Sequence, residues 1–348
     1  MKRLTRMAGW KVWTMLLLAG SSFTSCNSIL SDEAEDCAVY VQFKYDMNME
    51  FTNSFQHAVN SVTLYAFDET GKLAFQKTEE GEILKQDGYR MRLDDISHYD
   101  KAKYDFIVWA GEPDNESFSI PLLTVGKHSK EDLYCQLNRA GGGIVKDDLE
   151  DLFHGQAAGV SLGTHTTSIP DVVIPLTKNT NSIRIVLQQI TGEPLNVNDF
   201  RFTITDKNGK MNYDNTLMED EQLTYQAWHT QNGSASMDST TAKALGTRAT
   251  VEQLNMAIAE LSVARLVVDE DPVLTITKTT GEEVLEIPLV DCCLMYKRAK
   301  YEKMDNQEFF DREDEYNFTF FLDEYDNWVS SSIIINSWRC VYNDENLQ

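Results

Sequence analysis

Period-two alternation of apolar and polar residues dominates the chain. Val39, Val41, Phe43 and Tyr45 fall on one face of an extended segment, with Gln42 and Lys44 on the other. Val62, Leu64 and Ala66 alternate with Thr63, Tyr65 and Phe67, and Tyr104, Phe106 and Val108 with Asp105, Ile107 and Trp109. Such alternation predicts β-strands, and the last two, apolar on both faces, predict strands covered on both sides. Ile183, Ile185 and Leu187 repeat the pattern, as do Phe200, Phe202 and Ile204. The second of these runs into Asn208-Gly209, a pair that favours a tight hairpin because both positions tolerate positive φ. Thr70-Gly71 and Thr280-Gly281 predict similar turns, and further strands are expected over 261–268, 273–277, 284–289, 316–322 and 332–342.

Helical signals are few. Phe51, Phe55 and Val59 stand four apart, which suits a brief helix, and 146–153 and 303–310 are the other candidates. No strand–helix–strand rhythm argues for a doubly wound parallel sheet. The expectation is an all-β protein of two antiparallel β-sandwich domains with few short helices. They are placed at 37–165 and 166–348, with a Gly-, Ser-, Thr- and Pro-rich linker near 160–176. Residues 231–250, rich in Ser, Thr, Ala and Gly, are expected to be the least ordered.

The first residues change the picture from a plain β protein to an exported one. Lys2, Arg3, Arg6 and Lys11 form a basic head, Val12–Ala19 an apolar stretch too short to span a bilayer, and Phe23-Thr24-Ser25-Cys26 a small-residue ending. This layout resembles a lipoprotein signal (1–25) cut before Cys26, whose thiol then carries lipid; 26–36 would be a short acidic tether. Several acyl chains on one residue suffice for stable anchoring. Loss of the signal removes four of 31 basic residues and none of 55 acidic ones, taking the net charge from −24 to −28. A charge of that sign excludes nucleic acid as the expected partner, since binding there depends on neutralising phosphates.

With Cys26 lipidated, five cysteines remain for an oxidising compartment: Cys37, Cys135, Cys292, Cys293 and Cys340. Cys37 with Cys135 is the preferred bridge, and one of Cys292 or Cys293 with Cys340 the weaker one. The vicinal pair, in the apolar run Ile287–Met295, reads equally well as buried free thiols.

No catalytic template fits. The chain has no phosphate-binding Gly-Lys-Ser/Thr loop, dinucleotide fingerprint, nucleophile elbow or zinc-binding His-Glu-x-x-His. Its six histidines are scattered, Gly141-Gly142-Gly143 reads as a surface loop, and neither metal nor cofactor is expected. The acidic run Asp311-Arg312-Glu313-Asp314-Glu315 lacks the alternating ladder and central glycine of an EF-hand, and reads as a charged loop entering a strand. Tyr325, Trp328, Trp338 and Trp109 supply aromatic surface for a protein or sugar ligand.

Several segments taken in order resemble the FimB/Mfa2 family of fimbrial anchor lipoproteins of Bacteroidetes. They include Val39–Met49, Val62–Asp68, Tyr104–Gly111, Asp151–Gly155, Lys178–Ile185, Ala259–Ser262 with Arg265-Leu266, and Ile287–Leu289. The most specific is Gln307–Tyr316, continuing to Phe320–Leu322 and Ile335–Trp338. The resemblance implies two transthyretin-like sandwiches behind a lipidated Cys26. It also implies a non-enzymatic role at the base of a fimbria on the outer membrane, with influence on filament length, and strand addition to the major shaft subunit (fimbrillin). The alternative is a surface adhesin or glycan-binding lipoprotein, which would bind on a sugar array.

Overall fold

Burial follows the alternation. In the computed structural model, which describes residues 39–93, 103–162, 172–236, 253–329 and 333–340, Val39, Val41 and Phe43 are buried while Tyr40, Gln42 and Lys44 are half-buried. Strands of the first half are β1 (Val39–Lys44), β2 (Ser61–Phe67), β3 (Leu73–Glu80), β4 (Met91–Leu93), β5 (Lys103–Gly111), β6 (Phe118–Ser119), β7 (Tyr134–Leu137), β8 (Ile144–Val145), β9 (Leu152–Ser161) and β10 (Val172–Lys178). Those of the second are β11 (Thr180–Gln189), β12 (Phe200–Asp206), β13 (Lys210–Asn212), β14 (Leu223–Gln226), β15 (His229–Ser236), β16 (Gln253–Ala264), β17 (Val273–Lys278), β18 (Glu283–Pro288), β19 (Glu315–Leu322), β20 (Ile333–Ile335) and β21 (Trp338–Cys340). The helices are short: α1 (Phe55–Ala58), α2 (Leu289–Lys300) and α3 (Asn306–Arg312).

A seven-stranded sheet, β3-β2-β5-β9-β10-β1-β4, makes the first half. Its inner face, with Val62, Leu64, Phe106 and Val108, packs on Phe43 and Phe55 in one core. Its outer face, with Tyr65, Phe67, Ile107 and Trp109, joins a second core shared with the C-terminal half. That double burial is why β2 from Leu64 to Phe67 and β5 from Phe106 to Ala110 are apolar on both faces. The outer strands of this sheet curl toward each other: Lys77 Nζ donates to Arg92 O (2.6 Å), and Tyr89 OH donates to Glu79 Oε2 (2.7 Å). The second half carries a six-stranded sheet, β15-β16-β11-β19-β20-β21, and a five-stranded one, β18-β17-β12-β14-β8.

The sheets are mixed, not purely antiparallel as expected: β1 runs parallel to β10, β11 to β19, and β14 to β8. The halves are also knitted together. Strand β8 pairs with β14 at the edge of the five-stranded sheet, and β7 pairs with β13 in a three-stranded sheet, β13-β7-β6, so two sheets draw strands from both halves. At the expected seam, 163–171 lies outside the described residues, but β10 pairs with both β1 and β9 and carries the first sheet as far as Lys178. A single buried residue, Asn179, then separates β10 from β11.

Other local expectations changed. The turn at Thr70-Gly71 joins β2 to β3 and that at Thr280-Gly281 joins β17 to β18, with Gly71 and Gly281 at φ 76° and 93°. Asn208-Gly209 makes no hairpin, because β12 pairs with β14 and β17 whereas β13 pairs with β7. Instead buried Asn208 donates to Ala264 O and Arg265 O and accepts from Tyr225 OH. A Cβ on Gly209 would stand 2.6 Å from Asp220 Oδ2 and 2.7 Å from Arg139 Nη1, a half-buried ion pair, so a side chain there would displace the pair. The helix expected at 146–153 is absent; Leu152 and Phe153 begin β9, whose first four residues are all buried. The segment expected as one strand over 332–342 is a hairpin instead, turning at Asn336-Ser337 (φ 45° and 70°), with 341–342 outside the described residues. Residues 231–236 lie in β15, and 237–250 lie outside the described residues.

Candidate functional site

Helix α3 falls within the most specific sequence segment and holds the halves together. Asp305 caps it, accepting from Gln307 N (2.9 Å) and Glu308 N (3.3 Å). Phe309 and Phe310 enter the core, which leaves two i,i+4 pairs on flanking faces. On one, Arg265 donates from Nε and Nη2 to Asp311 Oδ1 (3.1 and 2.7 Å), to which Gln307 Nε2 also donates (2.9 Å). Gln307 further binds Leu266 O and Val268 N, fixing the segment after β16. On the other, Arg312 pairs with Glu308 (2.8 Å) and crosses to the first half. There it donates to Asp46 O (2.9 Å) and Asn48 O (3.3 Å), with the Phe51 ring 4.4 Å from its guanidinium carbon.

The receiving loop is built around Asn48, whose amide donates to Tyr45 O and Thr52 O and accepts from Glu50 N. Phe51 there has φ 54° and is exposed, so it begins no helix; only Phe55–Ala58 is helical. A second cross-link stands at the end of β10, where Lys178 Nζ bridges Asp151 (2.9 Å) and Asp314 (2.8 Å). Burial opposes the charge on Lys178, but Asp314 and Asp151 outweigh it and hold the ammonium well above the usual lysine range. Asn179 and Asn215 exchange amide hydrogen bonds (2.7 and 3.1 Å) beside it. The acidic run is thus divided by role. Asp311 and Asp314 are ion-paired, Glu315 is exposed, and burial followed by the charge of Asp314 pushes Glu313 up to about 7. Among the described residues no cluster of His, Cys, Asp and Glu could hold a metal ion.

A cleft of about 840 Å³ opens beside this clamp, lined by His154, Asn215, Arg265, Glu270 and Gln307 among others. His154 is neutral at physiological pH: burial lowers it to about 4, and its Nε2 lies 2.8 Å from Tyr213 O. His154, Asn215, Arg265 and Gln307 spend their polar groups on contacts within the protein, so this part of the cleft reads as part of the joint.

Cys26 and Cys37 lie outside the described residues. Among the described residues Cys135 on β7, Cys292 and Cys293 on α2, and Cys340 on β21 are free, buried thiols, so the expected bridge to Cys340 is not formed, while the Cys37 end of the other expected bridge lies outside them. The vicinal pair sits on a helix where a strand was expected. That helix was masked by its burial, with Leu289, Val290, Cys292, Cys293, Leu294 and Tyr296 apolar on most sides. Its legible signs are Pro288 just before it and Lys297, Arg298 and Lys300 in the last turn. Of the aromatic candidates Trp109 is buried against His154, Trp328 packs on Phe320, and Tyr325 and Trp338 are exposed. Trp228, not singled out by the sequence, is also exposed, beside Arg184 and Glu260 in a shallow pocket on the six-stranded sheet.

Asp206, at the end of β12, is buried with Oδ2 unpartnered. Burial raises it to about 7; Lys207 N opposes that, and Glu270 and Asp271 add to it. A carboxyl raised this way stabilises the fold fully below its unfolded value, and that contribution is lost as pH climbs to about 7. Asp206→Asn is therefore expected to raise urea stability at pH 8, by a ceiling of roughly 4 kcal/mol, and to change little at pH 4. Equal effects at both pH values would contradict this assignment.

A braced, multi-sheet β body whose best-connected polar cluster is structural defines a class of surface and assembly proteins. Residues 33–344 match the family described as Fimbrillin-A associated anchor proteins Mfa1 and Mfa2, and the chain belongs to that family, one of structural anchors rather than enzymes. Two crystal structures from Bacteroides thetaiotaomicron are similar. One, described as "putative polysaccharide binding proteins", is 30% identical, covers 89% of this chain and 99% of its own, and superposes with a TM-score of 0.73. The other, described as "a putative adhesin", is 32% identical over 88% and 97%, with a TM-score of 0.75. The fimbrial anchor protein Mfa2 from Porphyromonas gingivalis shares the fold at 16% identity, covering 88% of this chain and 99% of its own, with a TM-score of 0.62. No curated protein sequence matches the chain.

Proposed function

We propose that this protein is a surface-exposed outer-membrane lipoprotein, acylated at Cys26, that holds a fimbria at its base and influences the filament's length and assembly. The observation that carries the reading is the family match across 33–344, reaching almost to the lipobox-like Phe23–Cys26. The braced joint of the two halves supports it, since a base subunit must transmit load without bending. In this reading the halves are two transthyretin-like sandwich domains, divided near 165/166 in the chain. The shaft subunit joins by strand addition, in which backbone hydrogen bonds give affinity and alternate side chains give specificity. Strand β15, an outer strand of the six-stranded sheet paired along its length with β16, is the place for it.

A second reading, carbohydrate binding at the surface, is favoured by exposed Trp228 with Arg184 and Glu260 beside it, and by the names of the two similar Bacteroides proteins. One preparation separates the two. Deleting the donor segment of the shaft subunit is expected to abolish its co-purification with this protein, while a glycan array stays blank. Undiminished co-purification would remove strand addition; saturable glycan binding lost on Trp228→Ala would favour the second reading.

A further inference from the structure

The register of the first sheet fixes where the chain enters it. Val41 pairs with Val172, Lys103 with Ser161, and Phe67 with both Asp105 and Leu73. The start of β1, the start of β5 and the β2–β3 turn therefore share one end of the sheet. The opposite end, with Ser61, Gly111 and Lys178, leads to the second half. At the entry end a loop is bound to the β2–β3 turn: Leu73 N donates to His128 O (2.9 Å), Gly126 N to Leu73 O (2.8 Å), and Lys72 Nζ to Lys127 O (3.1 Å). Leu123 is buried and roots this loop, and Thr124 N donates to His128 Nδ1 (2.7 Å). Ile120 is half-buried against the same core, whereas Leu122 and Val125 face away from the body. Leu122 is 94% exposed, the most of any large hydrophobic residue among those described, and Val125 is 55% exposed. Lys72, Lys103 and Lys127 are exposed at the same end of a chain with net charge −24.

An ordered loop that presents leucine and valine to water offers an apolar contact at the end of the sheet where the chain enters. We infer that residues 120–127 rest on the lipid bilayer, with Leu122 and Val125 entering the interface and the lysines facing headgroup phosphates. The inference rests on the reading of Cys26 as the lipid attachment point. Twelve residues separate Cys26 from Val39, and covalent geometry limits the thirteen Cα–Cα steps to about 45 Å. The tether therefore keeps the entry end near the membrane at a high effective concentration. Two apolar side chains bind a bilayer weakly by themselves, yet become effective once association is intramolecular. Contact here sets the orientation of the body and turns the second half, with β15, away from the membrane.

The test separates loop contact from acylation. A histidine tag replaces everything before residue 27, and vesicles of phosphatidylethanolamine and phosphatidylglycerol carry nickel-chelating lipid, which tethers the chain at the same place without an acyl group. Single cysteines at Leu122, Val125 and, as a control, Glu324 are introduced in a Cys37→Ser background and labelled with an environment-sensitive dye; the four native thiols are buried. Glu324 follows β19, whose Leu322 pairs with the last residue of β11, far from the entry end. Nitroxide lipids are expected to quench the dye several-fold more at 122 and 125 than at 324, and Leu122→Asp with Val125→Asp to remove quenching from a dye at Lys127→Cys. Equal quenching at all three positions, none at any, or protection at 122 that accompanies dimer formation overturns the inference. The mass of the N-terminal peptide from native membranes reports acylation of Cys26 independently.

Discussion

Cells carrying Cys26→Ala are expected to release their fimbriae into the medium, or to bear filaments of abnormal length, while the protein itself still folds. Cys26 lies thirteen residues before the first described strand, and the substitution leaves the sequence of the β body unchanged. In the proposed reading it removes the acyl chains, and without two or more hydrophobic signals membrane residence becomes transient. No described helix is long and apolar enough to cross a bilayer and substitute for them. The measurement is the ratio of shaft subunit in sheared-cell and culture-supernatant fractions, with circular dichroism of the purified variant as a folding control. Normally attached fimbriae in the variant would refute the anchor role.

Lys178→Met should have the largest effect on stability of any single change in the clamp, about 3 kcal/mol at neutral pH. The lysine is mostly buried and is shared by Asp151 and Asp314, so its removal leaves two carboxylates facing each other without a cation. The partial exposure of both acids moderates the cost. Urea denaturation gives the number, and a double variant with Asp314→Asn should recover part of it through coupling between neighbours. Additive losses would show that the bridge contributes little.

Much of the β architecture was legible because strands advertise themselves by period two, and β1, β2, β5, β11 and β12 lie where alternation placed them. The family resemblance was legible in the Gln307–Tyr316 segment, but its purpose was not. Spacing shows that Asp311 and Arg312 are neighbours; it cannot show that one turns toward Arg265 and the other toward Asp46, 266 residues away along the chain. The same limit hid the parallel pairings and the shared strands, which depend on partners remote in sequence. Helix α2 was missed because burial on most sides erases the periodicity that distinguishes a helix from a strand, whereas the start of 146–153 is an exposed loop leading into the four buried residues that begin β9.

The parallel pairing of β1 with β10 has a mechanical meaning. In an anchored filament, tension enters at the beginning of β1 and leaves from the end of β10, through Asn179 into β11. The two strands are therefore pulled from opposite ends along their shared axis. Their ladder, from Val41–Val172 to Lys44–Pro175, is loaded in shear, so its hydrogen bonds must yield together instead of opening one after another. In the proposed reading, a tether on that strand means that the pull meets a joint that cannot unzip bond by bond.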